Sequence, residues 1–458
     1  HATCPVLFHC IPRTLSACLR FTMLKLKVPA QNYEWGQVGA DNPHVAVLGA
    51  ANADATIDAK KTYAELWMGT HPSGPAVAAL PEGSAGTLSS WLAERPKVLG
   101  EKLLARFEQA SAGNLPFLFK VLSIRKALSI QAHPDKKLAE KLHAEKPDVY
   151  KDDNHKPEMT IALTKFRALC QFMPRQEIRQ MLREIEEFKL IMGLQEYETF
   201  YEDAFFEDKI YNEHFKTVFQ SVLKVSPAQL KEVLTQLTNR IGKIPEGERT
   251  ERQALVLELN EQYPGDVGIL TAMFLNLVSL EPGEGIVLAA NEPHAYLAGE
   301  CVECMATSDN VIRAGLTPKF KDVPTLIDNL TYNNVKPTIL RPEAVGAMRT
   351  YNPGPDFDEF EVRDIRVPAG ATHDGDPIEG GTIMLIFEGE ATCVVGSTED
   401  LELIPDESEK GMYANTSFEM KKGEVYFVGA NVGYSMENTG SGELRVFLAT
   451  CNSLVYSR

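Results

Sequence analysis

Cysteine is scarce in this sequence: eight occur in 458 residues, at positions 4, 10, 18, 170, 301, 304, 393 and 451, with no framework spacing. A disulfide-stapled secreted scaffold is therefore excluded, and a cytoplasmic, reducing setting is expected. Cys301 and Cys304 form a C-x-x-C, but the thioredoxin-like βαβ context of a redox pair is missing, so they read as small buried side chains. No apolar run approaches the ~20 residues of a membrane helix, and no membrane partner is expected. Basic residues are also short: 46 Lys+Arg stand against 63 Asp+Glu, a net charge of -17. Nucleic acid is thus not an expected partner, because neutralising phosphates takes a basic face. A small anionic substrate remains open to such a chain, since a few buried Lys and Arg make a positive pocket inside a negative protein.

What is present divides into three zones, in keeping with a length of about three domains at roughly 150 residues each. From Met23 to about Arg167 the text is strand-like, with Gly, Pro and all three Trp (Trp35, Trp67, Trp91). Runs such as Pro116-Phe-Leu-Phe-Lys-Val-Leu122 and Ala127-Leu-Ser-Ile-Gln-Ala132 are bounded as buried strands are. From 174 to 263 glycine nearly vanishes and Glu, Lys, Gln and Leu dominate. Ser226-Pro227-Ala-Gln229 reads as an N-cap, a first-turn proline and a capping-box glutamine, followed by Leu230, Val233, Leu234, Leu237 and Ile241 at helical spacing. This zone is expected to be a helical insert. From Pro264 onward strand text returns. There Pro282-Gly-Glu-Gly-Ile-Val-Leu-Ala-Ala-Asn291 and Lys422-Gly-Glu-Val-Tyr-Phe-Val-Gly-Ala-Asn431 align without gaps at an offset of 140. Two related β units, each a barrel or jelly roll, are implied. His294 follows the first copy, and Tyr434 takes that place in the second. Residues 1–22 contain Arg13 and Arg20 and no acid; they are expected to be an extension outside the fold, with Met23 opening the first strand.

Three segments carry the chemistry. In Ser129-Ile-Gln131-Ala-His133-Pro-Asp135, residues two apart share a strand face, so Ser129, Gln131 and His133 would line one wall. A polar stripe inside a barrel is costly unless a metal, ligand or network answers it. Asn154-His155-Lys156-Pro157-Glu158 is a proline-fixed loop with three ionisable types. Asn291-Glu-Pro-His294-Ala-Tyr296 adds a second histidine, and Ser308-Asp309-Asn-Val-Ile-Arg313-Ala-Gly-Leu-Thr-Pro-Lys319 adds a cation leaving an apolar strand. Two His, one Glu and one Gln suit a divalent ion, with Zn²⁺ the default. Adjacent Lys and Arg suit a phosphate.

These segments, with Asn32-Tyr-Glu-Trp-Gly36 and Leu66-Trp-Met-Gly-Thr-His71, resemble the signatures of the type I phosphomannose isomerase family, in the family's order and from Met23 to the C-terminus. The resemblance implies a mainly β, cupin-type fold: a catalytic cupin domain of residues 23–173 and 264–330, the helical insert, and a non-catalytic cupin domain of residues 331–458. It implies one zinc per chain on Gln131, His133, Glu158 and His294. Arg313 matches the family's catalytic arginine, and Lys156, His155 and Glu303 join it as expected catalytic groups. Lys120, Ser129, Lys319 and Asp309 are the expected substrate contacts. The implied reaction exchanges mannose 6-phosphate and fructose 6-phosphate through an enediol, feeding mannose to GDP-mannose, with the proton-carrying base open among Lys156, Glu303 and a metal-bound water. A monomer acting on a small phosphorylated sugar is expected. Two other classes fit two His and one Glu: a non-haem iron oxygenase and a non-catalytic, sugar-binding cupin.

Overall fold

The computed structural model describes residues 23–79, 85–203, 208–395 and 417–457; the extension 1–22, with Cys4, Cys10 and Cys18, lies outside the described residues. The architecture is mainly β, with short helices among the N-terminal strands and a longer, wholly helical stretch after them. Between the strands Phe166–Phe172 and Leu275–Leu280 the described elements are all helical, running from Arg175–Glu184 to Ala272–Phe274. The helix Pro227–Gly242 starts where its sequence says: Gln229 N donates to Ser226 Oγ at 3.3 Å. The expected box does not close, because the Gln229 amide donates instead to Leu190 O. A capping box does form one helix later, between Thr250 and Gln253.

The N-terminal unit is built around the long strand His294–Ala306, which serves two ladders. Its first residues pair with Phe166–Phe172, and His294 also pairs with Gln131. From Gly299 onward it pairs with Phe117–Ile124, and from Cys301 with Glu158–Ala162. The turn from one ladder to the other falls at Gly299, whose φ is 111° and whose missing Cβ would lie 2.4 Å from Lys165 O. Only glycine tolerates both conditions.

Alternation along these strands decides which side chains look inward. Ile130, Ala132, Leu169, Ala295, Leu297, Ile312 and Ala314 join the helices in one apolar core. Their sequence neighbours Gln131, Tyr296 and Arg313 therefore face the other way. The helical region thus fixes which face of the sheet carries the polar stripe.

The C-terminal unit packs two sheets. One contains Thr382–Glu388, Val425–Val428 and Leu444–Thr450; the other contains Thr372–Gly375, Tyr434–Asn438, Glu390–Val395 and Ser417–Lys421. Met384, Ile386, Tyr426, Val446 and Leu448 meet Cys393, Tyr434 and Met436 between them. The alternate residues Ile383, Leu385, Phe427, Phe447 and Ala449 meet Phe117, Phe119, Val121, Met159, Val302 and Cys304 of the first unit. Burial on both faces explains why Ile383 to Phe387 reads as an uninterrupted apolar run. The chain's first strand, Met23–Lys27, is not in the N-terminal sheet: it pairs with Val425–Val428 and Val77–Ala79, stitching the units together.

The two β units follow one template at the expected offset. Gly285–Leu288 and Val425–Val428 are matching strands, and His294 and Tyr434 open the next strand in each. Gly283 and Gly423 have φ of 91° and 87°, and Asn291 and Asn431 both sit at 61°. Register then identifies what replaced the candidate ligands. Glu158 lies opposite Leu288 as Thr382 lies opposite Val428. His294 lies opposite Gln131 as Tyr434 lies opposite Gly375. Asn291 N donates to His133 O as Asn431 N donates to Ile378 O. The second unit therefore holds Gly375, Ile378, Thr382 and Tyr434 where the first holds Gln131, His133, Glu158 and His294. Its centre is filled: a Cβ on Gly375 would lie 2.1 Å from the Tyr434 ring. Gly375→Ala is accordingly expected to cost about 1–3 kcal/mol of stability by overpacking, read by chemical unfolding. A variant as stable as the parent would show that Tyr434 does not occupy that space.

Candidate metal centre and active site

The strand Ile130–Ala132 lies between His294 on one side and Arg313 on the other, with Gln131 paired in register to both. Ser129 precedes this strand, and its hydroxyl reaches Gln131 Oε1 at 3.4 Å. His133 follows the strand's end rather than lying on it. Glu158 opens the strand Glu158–Ala162. These folds bring His133, Glu158 and His294 together with ligand atoms within 4.8 Å of one another, all three buried.

Each imidazole is aimed by its outer nitrogen. His133 Nδ1 is 2.7 Å from Asn310 O, and His294 Nδ1 is 3.1 Å from Glu292 O. A carbonyl only accepts, so both Nδ1 atoms carry a proton, and in the neutral ring that tautomer turns the Nε2 lone pair inward. Neither Nε2 has a hydrogen-bond partner, though each stands 3.3 Å from a Glu158 oxygen. Burial pushes the His133 ring down to about 4, which keeps it neutral. Burial works to raise Glu158, but Lys156, with Nζ at 3.1 Å, is the largest influence against it, and the carboxyl lies well below its usual range. Two imidazole Nε2 atoms therefore face one carboxylate at 3.3 Å. Unanswered buried polar atoms cost about 1–3 kcal/mol each, and a divalent cation is what would answer all three. The three residues fit a zinc ion, and Gln131 lies on the adjacent strand in register with His294.

The carbonyl that aims His133 is itself pinned. Fully buried Asn310 donates through Nδ2 to Asp152 O at 2.7 Å, to Asp152 Oδ1 at 3.1 Å and to Asn154 O at 3.0 Å. Ser308 Oγ donates to Asp152 Oδ1, and Asp309 N to Asp152 Oδ2. This knot fastens the Asn154–Glu158 loop to the turn before Arg313. Asp152 flanks, and Asn310 lies inside, motifs singled out from the sequence, yet neither carried a signal of its own.

Beside the centre lies a buried ionic cluster. Lys120 Nζ is 3.1 Å from Glu303 and 3.4 Å from Glu65. Burial opposes its charge, but Glu65, Glu303 and Glu158 outweigh burial and raise it above its ordinary range. Glu303 accepts from Tyr296 OH at 2.8 Å, and burial raises its own pKa. Glu65 accepts from Trp67 Nε1 at 2.6 Å. Arg313 is half-buried, and desolvation draws its pKa down. Asp309 faces His71 at 3.3 Å, which holds the carboxyl below its usual range. His155 Nε2 is 2.5 Å from Glu359 of the C-terminal unit. Lys319 stands apart from these groups: it is exposed on the turn after Ile312–Gly315, tied through its backbone N to Thr317 Oγ1. Glu65, Tyr296 and Glu359 carried no signal in isolation, since each becomes notable only through its cross-strand or cross-domain partner.

Comparisons with known proteins agree with this geometry. A family model for the catalytic domain of type I phosphomannose isomerase matches residues 23–175, and one for that family's helical insertion domain matches residues 191–275. The chain is 39% identical to mannose-6-phosphate isomerase 1 of Arabidopsis thaliana over 436 residues, 95% of each chain. It is 39% identical to mannose-6-phosphate isomerase of Homo sapiens, over 93% of this chain and 98% of the relative. Among solved structures it resembles a point variant of phosphomannose isomerase from Salmonella typhimurium, with a TM-score of 0.75, 28% identity, and coverage of 94% and 99%. A mannose 6-phosphate isomerase bound with zinc and yttrium superposes with a TM-score of 0.74 at the same identity.

If the Asn310 knot aims His133, Asn310→Ala is expected to weaken zinc binding about 10–100-fold, measured by competition with a chromophoric chelator. Unchanged affinity would remove Asn310 from the account.

Proposed function

The chain belongs to the type I phosphomannose isomerase family, and from that membership we propose that it is a zinc-dependent enzyme interconverting mannose 6-phosphate and fructose 6-phosphate. The observation that carries the proposal is the convergence of two inward, partnerless imidazole nitrogens on one buried carboxylate, in a chain that matches isomerases along nearly its whole length. Gln131, His133, Glu158 and His294 would hold the zinc, which when bound supplies a Lewis acid for the oxygens of the reacting sugar.

The remaining roles fall to the chain's own side chains. Aldose–ketose exchange moves a proton between C2 and C1 through an enediol. Two groups next to the centre suit that proton, half-buried Lys156 and buried Glu303. Burial raises the pKa of Glu303. Lys120, held charged by Glu65 and Glu303, and Ser129, beside Gln131, orient the substrate on the inner wall. Lys319, exposed at the rim, meets the phosphate, whose charge needs no burial. Arg313, one ladder step from Gln131, stabilises the charge that develops on the enediolate. His155 assists opening of the sugar ring, and Asp309, held by His71, contacts the substrate. Placement in the cytoplasm, supported by five described cysteines that are free and buried, and action as a monomer are part of the same proposal. No described helix is long and apolar enough to cross a membrane.

The test is a coupled assay with mannose 6-phosphate before chelation, after chelation, and after zinc is restored. Activity is expected to vanish and return; persistence without metal would refute the zinc requirement. Arg313→Ala is expected to lower kcat about 10²–10³-fold with a smaller change in KM and full zinc content. A raised KM with kcat intact would make Arg313 a phosphate contact instead.

A further inference from the structure

Glu359 belongs to the unit whose own metal positions have become Gly375, Ile378, Thr382 and Tyr434, yet its carboxylate reaches into the first unit. Its Oε1 lies 2.5 Å from His155 Nε2. Its Oε2 is buried and has no hydrogen-bond partner, so the acceptor capacity of this carboxylate is directed at the one imidazole. Both partners are held from behind. On one side Asn452, fully buried, donates to Phe357 O at 2.7 Å and to Gly354 O at 2.9 Å, and Asn452 N donates to Asp358 O. Arg106 of the first unit binds Asp358 at 2.7 Å, and Phe360 sinks into the core between the units. On the other side Asn154 O is fixed by Asn310 and Ser308, and Lys156 is engaged with Glu158. Little of this arrangement is free to rotate.

We propose that Glu359 is a positioning residue for the isomerisation site, accepting the Nε2 proton of His155 and so fixing the ring's orientation and tautomer. A carboxylate accepts and does not donate, so in the neutral ring the proton sits on Nε2 and the lone pair on Nδ1. The nitrogen offered to chemistry is then Nδ1, the one turned away from Glu359. The C-terminal unit, which has lost its own metal ligands, thereby supplies part of the working site's support. This rests on the reading above that His155 acts on the sugar.

The test uses the zinc-loaded enzyme labelled with ¹⁵N-histidine, with the His155 resonances identified by comparison with His155→Asn. In the parent, His155 is expected to carry its proton on Nε2. In Glu359→Ala that signature is expected to be lost, and kcat for mannose 6-phosphate to fall about 10–100-fold, with zinc content, KM and the unfolding midpoint close to the parent's. Glu359→Gln keeps an acceptor oxygen without the charge and is expected to fall between the two. A parent ring protonated on Nδ1 would overturn the proposal. So would full turnover in Glu359→Ala despite a changed tautomer, or a loss of turnover that only follows a loss of folded protein. If the parent does not isomerise mannose 6-phosphate, the tautomer measurement still decides the Glu359 contact while the functional reading fails separately.

Discussion

Two imidazole nitrogens, buried against one carboxylate and unanswered by any protein donor, are the constraint on which the site depends. Left alone, such a pair penalises folding, because each nitrogen gives up water and receives no donor in return. The surrounding structure nevertheless holds them in place. One backbone carbonyl aims each ring, Lys156 steadies Glu158, and the Asn310 knot fixes the carbonyl that aims His133. That degree of support for an apparently unfavourable arrangement is intelligible once a cation completes it.

The rest of the molecule serves that geometry at increasing distance. The helical region buries Ile130, Ala132, Ile312 and Ala314, and so turns Gln131 and Arg313 to the opposite face. The C-terminal unit supports the other sheet through the core between Phe427, Phe447 and Phe119, Met159. Its own candidate centre shows what the template becomes without a metal: the ligand positions hold Thr, Ile, Gly and Tyr, and an aromatic ring fills the space. One fold has thus been used twice, once around an ion and once around a hydrophobic core.

Much of this was legible in the residues. The strand runs, the helical zone and the 140-residue repeat follow from period and from turn chemistry, because those signals are local. His133, Glu158 and His294 were legible as donors, and the resemblance to a known family grouped them. The failures have physical causes. Gln229 suggested a capping box, but a tertiary carbonyl at Leu190 competed for its amide. His133 was expected on a strand, but the ladder stops at Ala132 because the chain there turns toward the helix Lys136–Glu145, capped by Asp135. Met23–Lys27 was legible as a strand, but its partner Val425–Val428 was not, because it lies near the other end of the chain. Glu359 and Glu65 were invisible, since a carboxylate's importance there lies wholly in a partner far along the chain.

The central claim is that one chain holds one zinc, at His133, Glu158 and His294 with Gln131. The most direct measurement is zinc content per chain by atomic emission, on the parent and on His294→Ala that has been shown to fold. About one zinc in the parent and a large loss in the variant are predicted. Two zincs in the parent, or full occupancy in His294→Ala, would contradict the account.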